Sequence, residues 1–126
     1  MSRFEPKNPD FRAIAIDTFE RQRAMRTLGI RIARLEPGEV DLAMDYSPDF
    51  TQQHGFVHAG IITAGLDNAC GIAAFTLMPP DTGILTVEFQ DQFAGAGARR
   101  AVCLPRQRGE ARPHVDGVRG QSLCRA

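Results

Sequence analysis

The chain has 126 residues, which is the size of a single domain. Its 15 basic and 15 acidic side chains leave no net charge, which argues against nucleic-acid binding through bulk charge. A hydrophobic fraction of 43% is enough for a core, and the absence of Trp with a single Tyr removes the usual aromatic platforms for bases.

The cysteines and the N-terminal segment indicate the cytoplasm. Three cysteines, Cys70, Cys103 and Cys124, are an odd number without C-x-x-C spacing, which argues against a disulfide framework or a zinc module. The first 11 residues contain no apolar stretch of the kind found in signal peptides.

The first part of the chain predicts a helix followed by a β-hairpin. Apolar residues recur at roughly helical spacing over 11–27, which predicts one amphipathic surface helix. Two alternating segments, 30–35 and 40–44, flank Pro37-Gly38, which is typical of a hairpin turn.

The next segment, Ala59 to Met78, predicts a long buried helix that Pro79-Pro80 ends. Asp67 and Asn68 lie at its middle, where a membrane-spanning helix tolerates charge least, so a membrane span is not expected. Residues 83–93 alternate like a strand. This order of elements predicts an α+β fold with an antiparallel sheet.

The last part of the chain differs in composition. Residues 96–126 contain seven Arg and two acidic residues, for a net charge of +5, whereas residues 1–95 have a net charge of −5. Neither a helical nor a strand period is visible there, which is typical of a solvated basic tail.

Asp67 stands out because a carboxylate is rare in an apolar helix. One interpretation is that it bonds a neighbouring backbone group, and the other is that it is functional. His58, nine residues earlier, would lie about 13.5 Å away on the opposite helix face. Two subunits would therefore be needed to bring both side chains to one substrate atom.

The start of the same helix offers a site for a developing negative charge. The N–H groups of Ala59 and Gly60 lack intrahelical partners and lie at the positive end of the helix dipole. Together with Asp67 and the amide of Gln52, they suit hydrolysis of an activated acyl group. A metal site at His54 and His58 is a competing interpretation, but no third ligand is placed for it, so no metal is expected.

At these residues the sequence resembles the hotdog-fold acyl-CoA thioesterases of the phenylacetate-degradation (PaaI-like) group. The resemblance covers roughly residues 12–97, and its motif is Gln52-x-x-Gly55-x-x-His58-Ala59-Gly60, then Asp67, then Gly71.

The resemblance implies a long helix wrapped by an antiparallel sheet, active sites at the interface of a homodimer or homotetramer, and no cofactor. Asp67 then corresponds to the nucleophile or general base, and Gln52 positions the water or the acyl group. His58 and the Ala59 N–H bind the thioester carbonyl. The resemblance also assigns three residues to substrate binding, namely Gly60, Asn68 and Thr86.

Two departures from the family accompany this resemblance. Ala59 replaces the first Gly of the His-Gly-Gly motif, and its methyl group lies near the expected thioester oxygen. The two long strands that complete the family's sheet have no counterpart in residues 96–126, which suggests a frame change between Ala94 and Arg100.

The expected organisation is therefore a hotdog thioesterase domain over 1–95, without its last strands, followed by a basic tail over 96–126. The predicted activity is hydrolysis of a small aryl- or acyl-CoA, with no nucleic-acid or membrane partner. The alternative is a non-catalytic acyl-CoA-binding or inactive homologue.

Overall fold

The computed structural model describes residues 4–85 and, beyond them, the backbone of six strands within 90–123. The described residues form three α-helices: α1 (Phe11–Glu20), α2 (Arg23–Leu28) and α3 (Ala59–Phe75). A short 3-10 helix spans Pro48–Phe50. The strands are β1 (Arg31–Glu36), β2 (Glu39–Met44), β3 (Gln90–Ala94), β4 (Ala101–Cys103), β5 (Arg106–Gln107), β6 (Glu110–Ala111), β7 (His114–Val115) and β8 (Val118–Leu123).

Every strand pairing that the structure describes is antiparallel. The hairpin β1–β2 continues into β4, β8 lies between β3 and β7, and β5 pairs with β6. The predicted α+β class with an antiparallel sheet is confirmed.

The hairpin forms where the sequence predicts it, with a β-bulge in its first strand. Ile32 pairs with Leu42 and Leu35 with Val40, and the register shifts between Ile32 and Arg34. Ile32 and Leu35 are an odd number of residues apart, so a regular strand would place them on opposite faces. The extra residue in β1 turns both toward the core.

The predicted single helix over 11–27 is wrong, because the chain forms two helices with a break at Arg21 and Gln22. Phe19 and Met25 are both buried, yet their spacing of six residues would point them to different sides of one helix. Gln22 adopts an extended conformation at the start of α2, and this change of direction returns Met25 to the core.

The central helix starts at Ala59 as predicted and ends at Phe75, three residues before the predicted end. The N–H groups of Leu77 and Met78 bond to carbonyls three residues earlier, so the last turn is tighter than an α-helix. Pro79 disfavours the helical conformation at Met78, which explains the early end.

One face of α3 packs on β2 in the hydrophobic core. The buried residues of the helix recur at i, i+3, i+4 and i+7, as expected for one face of a helix. They are Ile62, Gly65, Leu66, Ala69, Cys70, Ile72 and Ala73.

A buried hydroxyl joins the end of α3 to the hairpin turn. The Gly38 N–H donates to Thr76 Oγ1 at 2.8 Å, and the same hydroxyl donates to the Ala73 carbonyl at 2.6 Å. Gly38 has a φ of +75°, and a Cβ there would lie 2.6 Å from Phe4 Cδ2. The turn therefore requires glycine, and Thr76 satisfies the buried N–H of that glycine.

The other face of β2 carries a half-buried charge cluster. Arg34 Nη2 donates to Glu39 Oε2 at 2.8 Å, and Arg34 Nη1 lies 4.0 Å from Asp41 Oδ2. Asp41 Oδ1 is buried and has no hydrogen-bond partner in the described part of the chain. Burial raises the pKa of Asp41 above its ordinary value of 3.8, Arg34 opposes the rise and Glu39 adds to it.

Beyond α3 the structure differs from the expectations in two places. Of the predicted strand over 83–93, residues 83–85 have no regular structure, 86–89 lie outside the described residues and 90–93 belong to β3. Within 96–126, where the sequence shows no strand period, five strands pair through their backbones. Backbone pairing needs no apolar alternation, so a hydrophobic pattern cannot predict it.

We expect Thr76→Val to lower the free energy of unfolding by about 1–3 kcal/mol, because it leaves the buried Gly38 N–H without an acceptor. Thr76→Ser keeps the hydroxyl and should lose only about 1 kcal/mol for the missing methyl group. Urea unfolding measures both variants, and a Thr76→Val protein as stable as the wild type would contradict this role.

We expect Asp41 to make stability pH-dependent in an unusual direction. Its folded pKa is raised, so the stability it contributes is fully present below pH 3.8 and is lost as pH rises through the raised value. Asp41→Asn does not titrate, so the wild type should gain stability relative to this variant on acidification from neutral pH. Urea unfolding at several pH values tests this, and a constant or shrinking advantage would contradict it.

Candidate functional site

The start of α3 is capped by a histidine. His58 has an extended backbone, and its Nδ1 accepts a hydrogen bond from the Gly60 N–H at 2.9 Å. The His58 carbonyl accepts from the N–H groups of Ile61 and Ile62 at 2.9 and 3.3 Å. His58 thus accepts hydrogen bonds from three N–H groups of the first turns, those of Gly60, Ile61 and Ile62.

This cap changes which backbone donor is available. The sequence predicts two N–H groups without intrahelical partners, those of Ala59 and Gly60, but the Gly60 N–H is engaged by His58. Ala59 is exposed, and its N–H has no acceptor within the described part of the chain. Ala59 is therefore the backbone donor open to a ligand.

The same bond determines where His58 carries its proton. A neutral imidazole has one N–H and one acceptor nitrogen, and Nδ1 is the acceptor here. The proton is therefore on Nε2. The exposed ring offers an Nε2–H donor, so the start of α3 carries a side-chain donor on His58 and a backbone donor on Ala59.

The loop before the helix is a tight turn held by its own backbone. The Gly55 N–H bonds to the Gln52 carbonyl at 3.0 Å, and the Gln52 N–H bonds to the Phe56 carbonyl at 2.8 Å. Gly55 has a φ of +82°, which favours glycine, and its carbonyl accepts from the Tyr46 hydroxyl at 3.0 Å. These hydrogen bonds fix the backbone of Gln52 in the loop that leads to His58.

The side chain of Gln52 is oriented by this turn. Its Oε1 accepts a hydrogen bond from the His54 N–H. With Oε1 engaged, the Nε2 group is the part of the amide that can donate outward. Gln52 can therefore bind an oxygen atom of a water molecule, a carbonyl or a carboxylate.

Asp67 is half buried in the middle of α3. It is nine residues after His58 on a continuous helix, so the two side chains point to opposite faces about 13.5 Å apart along the axis. The structure of one chain does not bring them together. Asp67 shares its face with Gly71, next to which the methyl group of Ile84 lies.

Asn68 makes a contact that the sequence does not predict. Its Nδ2 donates to Gln22 Oε1 at the break between α1 and α2. Its Oδ1 is buried without a hydrogen-bond partner in the described part of the chain, an arrangement that costs about 1–3 kcal/mol. Gln22 is 46 residues away in sequence, and no local motif marks it.

The remaining predicted site residue, Thr86, lies outside the described residues. Within the described part of the chain, no group of three His, Cys, Asp or Glu side chains could hold a metal ion. No helix there is both long and apolar enough to cross a bilayer. Cys70 is a buried thiol in the core face of α3.

The chain is similar to several solved structures. A thioesterase family protein from Silicibacter pomeroyi is 34% identical, with a TM-score of 0.70 over 91% of this chain and 99% of that chain. The E. coli PaaI protein from the phenylacetic acid degradation operon is 16% identical, with a TM-score of 0.70 over 93% of this chain and 94% of that chain. Mouse thioesterase superfamily member 2 is 11% identical, with a TM-score of 0.62 over 94% of this chain and 95% of that chain. At the two lower identities the likeness concerns the fold.

Among curated proteins, one named as a putative esterase of Saccharolobus solfataricus is 34% identical over 50 residues. This match spans 40% of the chain and 36% of that relative, just over a third of its length. No protein-family model matches the chain.

We expect the cap at His58 to be measurable as stability. His58→Ala removes the acceptor for the Gly60 N–H and should lower the free energy of unfolding by about 0.5–2 kcal/mol. His58→Asn supplies another capping oxygen and should stay within a few tenths of a kcal/mol of the wild type, roughly. Urea unfolding compares them, and equal stability of all three proteins would rule out the cap.

Proposed function

Because the chain belongs to the hotdog-fold thioesterase family, we propose that it hydrolyses the thioester bond of an acyl-CoA. The observation that carries the proposal is the pair of donors at the start of α3, His58 Nε2–H and the Ala59 N–H. Both belong to residues at the start of α3, where the helix dipole favours the negative charge that a thioester oxygen acquires during water attack.

Asp67 is the group that activates water in this proposal. A half-buried carboxylate in an apolar helix can accept a proton from a water molecule aimed at the thioester carbon. Gln52 donates through its Nε2 group to the oxygen of that water and so orients it. No metal or cofactor takes part in this chemistry.

The reaction then proceeds by addition and elimination. Water adds to the thioester carbon while its proton passes to Asp67, and the carbonyl oxygen becomes an oxyanion bound by His58 and Ala59. The tetrahedral intermediate collapses, the carbon–sulfur bond breaks, and the CoA thiolate takes the proton from Asp67. The products are a carboxylic acid and free CoA, and the carboxylate of Asp67 is regenerated.

Two copies of the chain build each site. Within one chain His58 and Asp67 point to opposite helix faces, so Asp67 of one protomer must act with the helix start of its partner. Exposed apolar side chains flank both positions. Phe56 is 39% exposed beside the helix start, and Leu85 is 90% exposed next to Ile84, which lies against the Asp67 face. A second copy would cover them.

Asn68, Gly60 and Thr86 are the residues assigned to substrate binding in this proposal. The buried Oδ1 of Asn68 is an acceptor without a partner in the described part of the chain, and an N–H group of the substrate could satisfy it. Gly60 holds the ring of His58 in place through its N–H. Thr86 remains an assignment from the family resemblance.

We expect Asp67→Asn to release thiol from acyl-CoA at least about 100-fold more slowly than the wild type, because an amide cannot accept the proton of water. His58→Asn should also lose activity while its helix stays capped, since its shorter amide does not place a donor where the Nε2–H of the imidazole lies. Thiol release from phenylacetyl-, benzoyl-, acetyl- and hexanoyl-CoA measures both variants.

Two results would contradict this proposal. If a folded wild-type protein releases no thiol from any of these substrates but is stabilised by them, the chain is a non-catalytic acyl-CoA-binding protein. Full activity of Asp67→Asn would exclude Asp67 as the general base.

We expect the two inactive variants to complement each other when mixed after unfolding and refolding together. In a mixed dimer, one site combines the intact Asp67 of one chain with the intact His58 of the other. Random pairing should restore about a quarter of the wild-type activity. Refolding each variant alone is the control, and no recovery in the mixture would contradict a site shared between subunits.

A further inference from the structure

Gln22 precedes α2 but its side chain does not cap that helix. Its backbone is extended, as is usual at the N-cap position, yet its side chain makes no hydrogen bond to the first turn of α2. Its Oε1 accepts instead from Nδ2 of Asn68, in the middle of α3. The side chain is therefore committed to α3 rather than to its own helix.

This contact decides which end of the Asn68 amide is left for another partner. A primary amide has an acceptor at one end and donors at the other, while the two ends have nearly the same shape. Because Gln22 Oε1 is an acceptor, it takes the NH2 end of Asn68. Asn68 Oδ1 then has no hydrogen-bond partner in the described part of the chain. A donor at position 22 would select the opposite orientation of the amide.

Asn68 adjoins the carboxylate that activates water in the proposed mechanism. It follows Asp67 on α3, and successive residues of an α-helix are about 100° apart around the axis. In an acyl-CoA, the N–H group nearest to the thioester belongs to the cysteamine amide, which an ethylene group separates from the sulfur. With the thioester carbon next to Asp67, this N–H is the substrate donor nearest to Asn68.

We propose that Gln22 is a positioning residue, which holds Asn68 so that its Oδ1 is available to the cysteamine N–H of the thioester. This inference rests on the proposed function, because it requires the reacting carbon to lie next to Asp67. Gln22 does not touch the substrate, but it determines whether Asn68 presents an acceptor or a donor. Thioesters of cysteamine amides are therefore preferred over thioesters of thiols that lack this N–H.

Two substitutions at position 22 reverse or keep the direction of the hydrogen bond. Gln22→Glu keeps an acceptor, whereas Gln22→Lys supplies only donors. Gln22 lines a cleft of about 580 Å³ between α1, α2 and the start of β1, so a changed side chain has room there. Arg26 lines the same cleft and would attract the Glu side chain but repel the Lys side chain, so the two variants will differ in stability. A ratio of two substrates measured on one protein does not depend on the amount of folded protein.

Two hexanoyl thioesters that differ at a single position provide this ratio. One is the thioester of N-acetylcysteamine, and the other is its 2-acetoxyethyl analogue, in which an oxygen atom replaces the N–H group. We expect kcat/KM of the wild type to be at least about 10-fold higher for the N–H substrate, because the oxygen analogue leaves Asn68 Oδ1 without a donor. Gln22→Glu should keep this ratio, and Gln22→Lys should reduce it to less than about 3-fold.

A second substitution tests the reason for the loss. Adding Asn68→Asp to Gln22→Lys replaces the amide by a carboxylate, which has acceptors at both ends, so one oxygen can bind the Lys side chain while the other serves the substrate. The ratio should return to at least about 10-fold in this double variant. The role of Gln22 would be overturned by a wild type with equal kcat/KM for both substrates, by a Gln22→Lys protein with the wild-type ratio, by a Gln22→Glu protein that loses it, or by a double variant that does not recover it.

Calorimetry with the non-hydrolysable thioether S-hexyl-CoA separates this inference from the proposed function. If the wild type releases no thiol from any thioester, hydrolysis is excluded. Gln22→Lys should still bind S-hexyl-CoA at least about 10-fold more weakly than Gln22→Glu, because the cysteamine N–H is present in this ligand as well. Equal binding by the two variants, or no binding to the wild type, would overturn the role of Gln22.

Discussion

The hydrogen bond from the Gly60 N–H to His58 Nδ1 is the interaction on which the rest of the site depends. It ends the preceding loop, starts the central helix and leaves the proton of the imidazole on Nε2. Because Gly60 is engaged, the Ala59 N–H and His58 Nε2–H are the donors that remain. In the proposed mechanism the same few atoms therefore cap the helix and bind the thioester carbonyl.

The second constraint is the continuity of α3. A continuous helix from Ala59 to Phe75 holds Asp67 well away from the His58 and Ala59 donors of its own chain and on the opposite face. The core side of the helix is committed to β2, and its far end is tied to the hairpin through Thr76. No local rearrangement can bring Asp67 back to His58 without breaking these contacts. In the proposed mechanism, association of two chains is therefore a condition for catalysis.

Much of the fold could be predicted from the sequence at positions where a residue type has one clear structural role. Pro37-Gly38 between two alternating segments predicts the hairpin, and the start of α3 follows from His58 and the apolar run after it. The sequence does not predict the hydrogen bond from the Gly60 N–H to His58 Nδ1. Counting only the partners that N–H groups have within the helix leaves out a side-chain acceptor two residues earlier. The Gln22–Asn68 contact was missed as well, since it joins residues 46 positions apart and neither has a local motif. The predicted end of α3, at Met78, is three residues too late. Met78 is apolar, as expected of a residue in this helix, but the proline that follows it disfavours a helical conformation there.

The wrong prediction over residues 11–27 is the most informative one. A single helix satisfies the apolar spacing of its first half, but Met25 reaches the core only because the chain breaks at Arg21 and Gln22. That break opens the cleft between α1, α2 and β1, and it directs Gln22 toward Asn68. A departure from local regularity thus provides both the burial of Met25 and the contact between the first helices and the middle of α3.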